Sequence, residues 1–184
     1  MMKPPPILRS ANFIFRPLTV SDAPAFVEAV VESVATLAPW MPWAQANYST
    51  AEALGWISWC QQGWEERSSC EFGIFDAATG AFVGGCGLNQ FNHVHGWCNL
   101  GYWVRQAFQR RGAATEAVRA LSGFGFAELP LGRIEIVVGV GNLASLAVAV
   151  KAGAVEEGVA RNRLKLGARF IDAHLLSLVP AKPG

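Results

Sequence analysis

The chain has 184 residues, 52% hydrophobic and 16% charged, which is enough apolar material for one globular core and excludes disorder over most of its length. Fifteen Lys and Arg against fourteen Asp and Glu leave a formal net charge of +1, too balanced for a general nucleic-acid binder or a polybasic membrane-surface protein. The balance is uneven along the chain: residues 1–104 hold eight acids and four bases, residues 105–184 six acids and eleven bases.

In chain order, Pro4-Pro5-Pro6 stands where a signal peptide would need an unbroken apolar run. The expected compartment is therefore the cytoplasm, with residues 1–10 a loose tail and residues 11–180 a single domain. Phe13 to Arg16 alternates as a short strand closed by Pro17, and Ser21-Asp22 is expected to cap a helix carrying Phe26, Val27, Val30, Val31 and Val34. Pro39-Trp40-Met41-Pro42-Trp43 is a stiff loop. Thr50 and Glu52 open a second helix, on which Trp56 and Trp59 are expected to fall on the buried stripe. Cys70 to Phe75 and Ala81 to Leu88 form a hairpin around Asp76-Ala77-Ala78-Thr79-Gly80.

Ala77 to Val104 lacks Asp, Glu, Lys and Arg and is long enough to span a bilayer, but its asparagines, histidines and glycines argue for strands and turns. Trp97 to Val104 is a strand, followed by a helix from about Gly112 to Ala127, a strand Arg133 to Val140 and a helix Leu143 to Ala152. Strands Val155 to Arg163 and Arg169 to Leu178 close the chain. This βαβα run demands at least one parallel pairing, so the predicted class is α/β (α+β) around a single mixed central sheet. Cys60, Cys70, Cys86 and Cys98 read as reduced thiols. Cys86 and Cys98 with His93 and His95 match no zinc spacing, and no metal is expected.

Gln109-Arg110-Arg111-Gly112-Ala113-Ala114-Thr115 opens a helix directly after a strand and loop. The unpaired N–H groups and dipole of a helix start favour an anion, Gly and Ala leave the backbone accessible, and the arginines add charge. Asn142 and Ser145 share a helical face at the next helix start, and Gly153 follows Lys151 at its end.

Together these segments resemble the GNAT superfamily of N-acetyltransferases, in particular its RimJ/RimL-like, ribosomal-protein N-acetyltransferase branch. Gln109-x-x-Gly112-x-Ala114 is similar to the family's pyrophosphate loop, and Asn142-x-x-Ser145 to its pantetheine-flanking helix. Arg16-Pro17-Leu18, Trp40-Met41-Pro42-Trp43 and Glu156-Glu157-Gly158 with Asp172 extend the likeness over nearly the whole chain.

The resemblance implies the GNAT fold with a splayed strand at Leu100 to Val104, near Gly101, and direct transfer of acetyl from acetyl-CoA to an amine. It implies that acetyl-CoA is held by Tyr102, Trp103, Val104, Gln109, Arg110, Arg111, Gly112, Ala113, Ala114, Thr115, Asn142, Ser145 and Lys151. A backbone N–H near Tyr102 or Trp103 would serve the oxyanion. Ser145 is the candidate acid, because the family's tyrosine is replaced by Ala149.

The family's Glu is replaced by Asn99, which cannot take a proton at neutral pH but could position a water. Glu71, His93 and His95 remain as candidate bases. An α-amine of pKa about 8 is roughly one-tenth neutral at pH 7, whereas a lysine near 10.4 is almost wholly charged, so weak base catalysis suits a protein or peptide N-terminus. Trp40, Trp43 and His93 are candidates for the acceptor side. A small amine or antibiotic as acceptor, a catalytically impaired CoA-binding module, and a homodimer stay open.

Overall fold

The computed structural model describes residues 5–180. Its strands are β1 (Leu8–Arg9), β2 (Phe13–Arg16), β3 (Cys70–Asp76), β4 (Phe82–Asn92), β5 (Trp97–Val104), β6 (Arg133–Gly139), β7 (Val155–Leu166) and β8 (Arg169–Leu178). The helices are α1 (Ala23–Glu32), α2 (Val34–Leu37), α3 (Thr50–Glu66), α4 (Ala113–Glu128) and α5 (Leu143–Ala152). Among the described residues the strands form one sheet in the order β1-β2-β3-β4-β5-β6-β8-β7. Among the described residues only β5 and β6 run parallel, across the α4 crossover, as the βαβα pattern requires.

Alternation along β5 sorts the two faces. Cys98, Leu100 and Tyr102 face α4 and α5, in a core shared with Ile134, Ile136, Val138, Leu121 and Ala149. Asn99, Gly101 and Trp103 face the other way, where Trp103 packs edge-on against Phe26 of α1 at 5.4 Å between ring centroids. A second core of Phe26, Val30, Ala53, Ile57 and Phe82 lies on that side.

Three local expectations need correction. The segment read as a loose tail already enters the sheet at its end, with Leu8 opposite Phe15 and Arg9 opposite Ile14; residues 1–4 lie outside the described residues. At the start of α1, Asp22 does not cap the helix with its side chain. Its carboxylate turns back to accept from the Thr19 N–H (2.7 Å) and hydroxyl (2.9 Å), and from both terminal nitrogens of Arg16 (2.8 and 2.7 Å). On α3 the buried stripe is Ala53, Ile57, Cys60 and Gly63. Trp56 and Trp59 lie off it, 37% and 47% exposed, and stack on each other at 4.9 Å. The four cysteines are free and buried. No helix among the described residues is long and apolar enough to cross a membrane.

Candidate active site

The pairing of β5 with β6 runs through Trp97 and Arg133, Cys98 and Ile134, and Asn99 and Glu135, and stops there. Above that point β5 stays paired to β4, and β6 to β8, so the two strands part and leave a gap in the sheet. A cavity of about 110 Å³ fills the gap, bordered by Leu100, Gly101 and Tyr102 on one side and Ile136 to Gly139 on the other. Asn142 and Ser145 close it from the α5 side; Trp40, Met41, Leu164 and Leu166 close it from the opposite face. The expected splay is thus present, and residues from both faces of the sheet line it.

Local sequence explains each wall. Gly141, at φ 97°, turns the chain from β6 into α5, a conformation that favours glycine. Asn142 caps α5 by accepting from the Ser145 N–H at 3.2 Å. Trp40 lies against Gly139: a Cβ there would crowd Ile171 Cδ1 at 2.9 Å and the indole at 3.2 Å, so the glycine eases the close approach of the ring to the strand. Trp43, expected beside it, instead packs edge-on against Trp103 (5.8 Å) and Tyr48 (6.0 Å).

The Tyr102 phenol lies 3.0 Å from Ser145 Oγ and donates to the Ser145 carbonyl, also at 3.0 Å. Burial pushes the phenol up to about 12, against the opposing hydrogen bond from Ser145. The pair offers a neutral hydroxyl donor at the cavity wall. The strand alternation that sends Trp103 to α1 sends the Tyr102 side chain to α5, so the phenol joins Ser145 in addition to any contact from the Tyr102 backbone. Ala149 is fully buried on the inner face of α5, so an acid at that position would point into the core.

The loop before α4 is held from outside. Ser33 Oγ accepts from the Gln106 N–H (2.8 Å), Glu32 accepts from the Ala107 N–H (2.8 Å), and Arg105 pairs with both Glu28 and Glu32. Gln109 donates to Thr36 (3.2 Å) and to the Val104 carbonyl (3.4 Å). Arg110 and Gly112 both adopt positive φ, 64° and 87°, and Arg111 covers the Phe108 ring.

The first helical bond of α4 runs from the Glu116 N–H to the Gly112 carbonyl, which leaves the N–H groups of Ala113, Ala114 and Thr115 facing outward from the helix start. Glu116 would oppose an anion there, but its carboxylate is drawn to Ser10 and Asn12. A Cβ on Gly112 would meet nothing nearer than that carboxylate at 3.7 Å. Small residues, open amides and flanking arginines fit a diphosphate. Lys151 is exposed at the far end of α5, where its carbonyl accepts from Arg119 of α4 at 2.8 Å.

Two expected residues lie elsewhere. His93 sits in the turn between β4 and β5, stacked on Phe91, and borders a separate groove with Trp64, Phe124 and Leu131. The turn is at the start of β5, some five residues and about 17 Å of strand below the cavity. His93 therefore does not join Trp40 at the acceptor side, and His95 shares that turn.

Asn99 is the last residue of β5 paired with β6, at the foot of the gap. Its Nδ2 donates to Asn89 Oδ1 at 3.0 Å, and Asn89 Nδ2 donates to Glu71 Oε1 at 2.9 Å. The Asn89 link escaped sequence reading because it depends on the register of three strands. Among the described residues, no group of three or more His, Cys, Asp or Glu is arranged to hold a metal ion.

Residues 12–155 match the family described as "Acetyltransferase (GNAT) domain". The chain is 30% identical over 171 residues to the "Putative ribosomal N-acetyltransferase YdaF" of Bacillus subtilis (strain 168), covering 91% of each. It is 32% identical to a solved "putative ribosomal-protein-serine acetyltransferase from Vibrio cholerae", with a TM-score of 0.86 over 97% of this chain and 100% of that one. The fold also matches RimL, a ribosomal L7/L12 α-N-protein acetyltransferase solved with coenzyme A, at a TM-score of 0.86 and 22% identity over 95% of this chain and 98% of that one.

Proposed function

This chain belongs to the GNAT family of N-acetyltransferases, in its RimJ/RimL-like branch, and we propose that it moves an acetyl group from acetyl-CoA to the N-terminal α-amine of a protein or peptide. The observation that carries the reading is the gap between β5 and β6. It brings the Tyr102 and Ser145 hydroxyls from one face and the Trp40 wall from the other to a single cavity.

In this reading the diphosphate of acetyl-CoA lies against Gln109 to Thr115, and the pantetheine arm enters the gap beside Asn142. The amine comes from the Trp40 side and attacks the thioester carbonyl directly; backbone N–H groups of β5 near Tyr102 and Trp103 steady the oxyanion. A thiol has a reference pKa near 8.5, so a hydrogen bond from Ser145, backed by Tyr102, assists the departing thiolate without complete proton transfer.

Cys86 and Cys98 are fully buried, and burial raises both thiols far above their usual range. Neither suits a covalent acetyl-cysteine route. The reading takes residues 8–180, from β1 onward, as one acetyltransferase domain working in the cytoplasm, with no metal, nucleic acid or membrane partner.

The test is release of free thiol from acetyl-CoA with a panel of peptides and small amines. Faster release with free N-terminal peptides than with N-terminally blocked ones is expected. Turnover with small amines alone would move the assignment to a small-amine acetyltransferase. Tight acetyl-CoA binding without turnover on any acceptor would leave a binding module.

A further inference from the structure

Asn99 leaves the gap without a carboxylate on β5, yet a buried carboxylate stands two strands away at the matching height. Glu71 of β3 pairs with Gly87 of β4, and Gly87 pairs with Gly101 of β5, all on the face that carries Trp40 and Trp103. The Glu71 side chain is 7% exposed and fills the place that a Cβ on Gly87 would occupy, with Oε2 nearest. Across the sheet, at a cross-strand separation of about 5 Å, a Cβ on Gly101 would meet only Asn99 Nδ2, at 4.0 Å.

The Glu71 carboxylate thus covers Gly87, and the next glycine in register, Gly101, is bare on this face and borders the cavity. Oε1 is engaged by Asn89. Among the described residues that is the one hydrogen bond to the carboxylate, so Oε2 is left without a donor.

Resting on the acetyltransferase reading above, we propose that Glu71 accepts the proton that the acceptor amine loses, through water over Gly101, while Asn89 holds the carboxylate and Asn99 borders that water. As the nitrogen bonds to the acetyl carbon, its N–H bond breaks and the proton passes to the water. The water passes a proton to Glu71 Oε2, and the carboxyl returns it to solvent after the products leave.

Glu71 suits the task chemically. Burial pushes it up to about 7, against the lowering effect of the Asn89 hydrogen bond, so near neutral pH it takes and gives a proton readily. The titratable groups that sense it are thiols: Cys60 on α3, Cys70 on β3 and Cys86 on β4. All are raised by burial and stay neutral at pH 7, so the titration belongs to Glu71 itself.

The experiment compares pH profiles of kcat/KM for wild type and Glu71→Gln, using an acceptor peptide that wild type turns over. The expected result is a loss of about 10²-fold or more in kcat, disappearance of the limb near pH 7, partial rescue by Glu71→Asp, and unchanged affinity for coenzyme A. A Glu71→Gln enzyme with wild-type kcat and an unaltered limb overturns the proposal while leaving the acetyltransferase reading intact; a wild type inactive on every amine removes both. If Glu71→Gln fails to fold, carbon NMR of the wild-type carboxyl decides: titration near 7 that responds to a bound acceptor supports the role, and titration in the ordinary range overturns it.

Discussion

The hydroxyl pair of Tyr102 and Ser145 is where single residues matter most. Ser145→Ala and Tyr102→Phe should each lower kcat by about tenfold to a hundredfold with little change in coenzyme affinity. The double variant should lose less than the product of the two, because both act through one hydrogen bond. Steady-state kinetics on the three proteins checks this.

Glu71 makes a separate prediction about stability. Its carboxyl is raised in the folded protein to about 7 from an unfolded value near 4.5. The folded state therefore holds a proton that the unfolded state releases, and this contribution fades as pH rises from about 4.5 through 7. Glu71→Gln should raise the melting temperature more at pH 8 than at pH 5. Both predictions rest on side-chain positions that the sequence only half disclosed. Ser145 was legible because Asn142-x-x-Ser145 is local to one helix start, whereas the Tyr102 phenol and the Asn89 link depend on which face and register each strand adopts.

At the level of elements, boundaries marked by punctuation such as Pro17, Gly80, Gly112 and Gly153 were legible, whereas β1 was not, and β4 and β7 run on to Asn92 and Leu166, past their expected ends at Leu88 and Arg163, where no such residue stops them. The tryptophans of α3 were not legible either. A helix with Ala53, Leu54, Trp56, Ile57, Trp59 and Cys60 offers two adjoining apolar stripes, and the size of the indoles favours the one that carries them. Packing chose the smaller residues, because α3 lies close against α1 and the second core.

Ile57→Ala should accordingly cost about 2–5 kcal/mol. Trp59→Ala should cost less than about 1 kcal/mol despite removing a much larger side chain, and denaturant unfolding of the two variants distinguishes them. His93 failed as a site residue for a similar reason: a turn at the wrong end of β5 looks no different in sequence from one at the right end.

Across the whole molecule, the charge division acquires a location. The basic half supplies α4 with Arg110 and Arg111 at its start, and α5; the acidic half supplies Glu28 and Glu32, which clamp Arg105 and hold the loop from behind. A diphosphate at this loop would meet backbone amides and arginines together, so coenzyme affinity should fall as salt rises. Gly112→Glu should reduce that affinity at least about a hundredfold, because a carboxylate would enter the anion site and φ of 87° strains any side chain; calorimetry with coenzyme A measures both effects.

The central claim is acetyl transfer to an α-amine in the gap between β5 and β6, and tandem mass spectrometry of one peptide tests it most directly. The peptide carries a free N-terminus and an internal lysine and is incubated with acetyl-CoA and enzyme near pH 7. The account predicts acetylation on the N-terminal nitrogen, lost with Ser145→Ala at matched times; acetyl found on the lysine alone, or on neither amine, would contradict it.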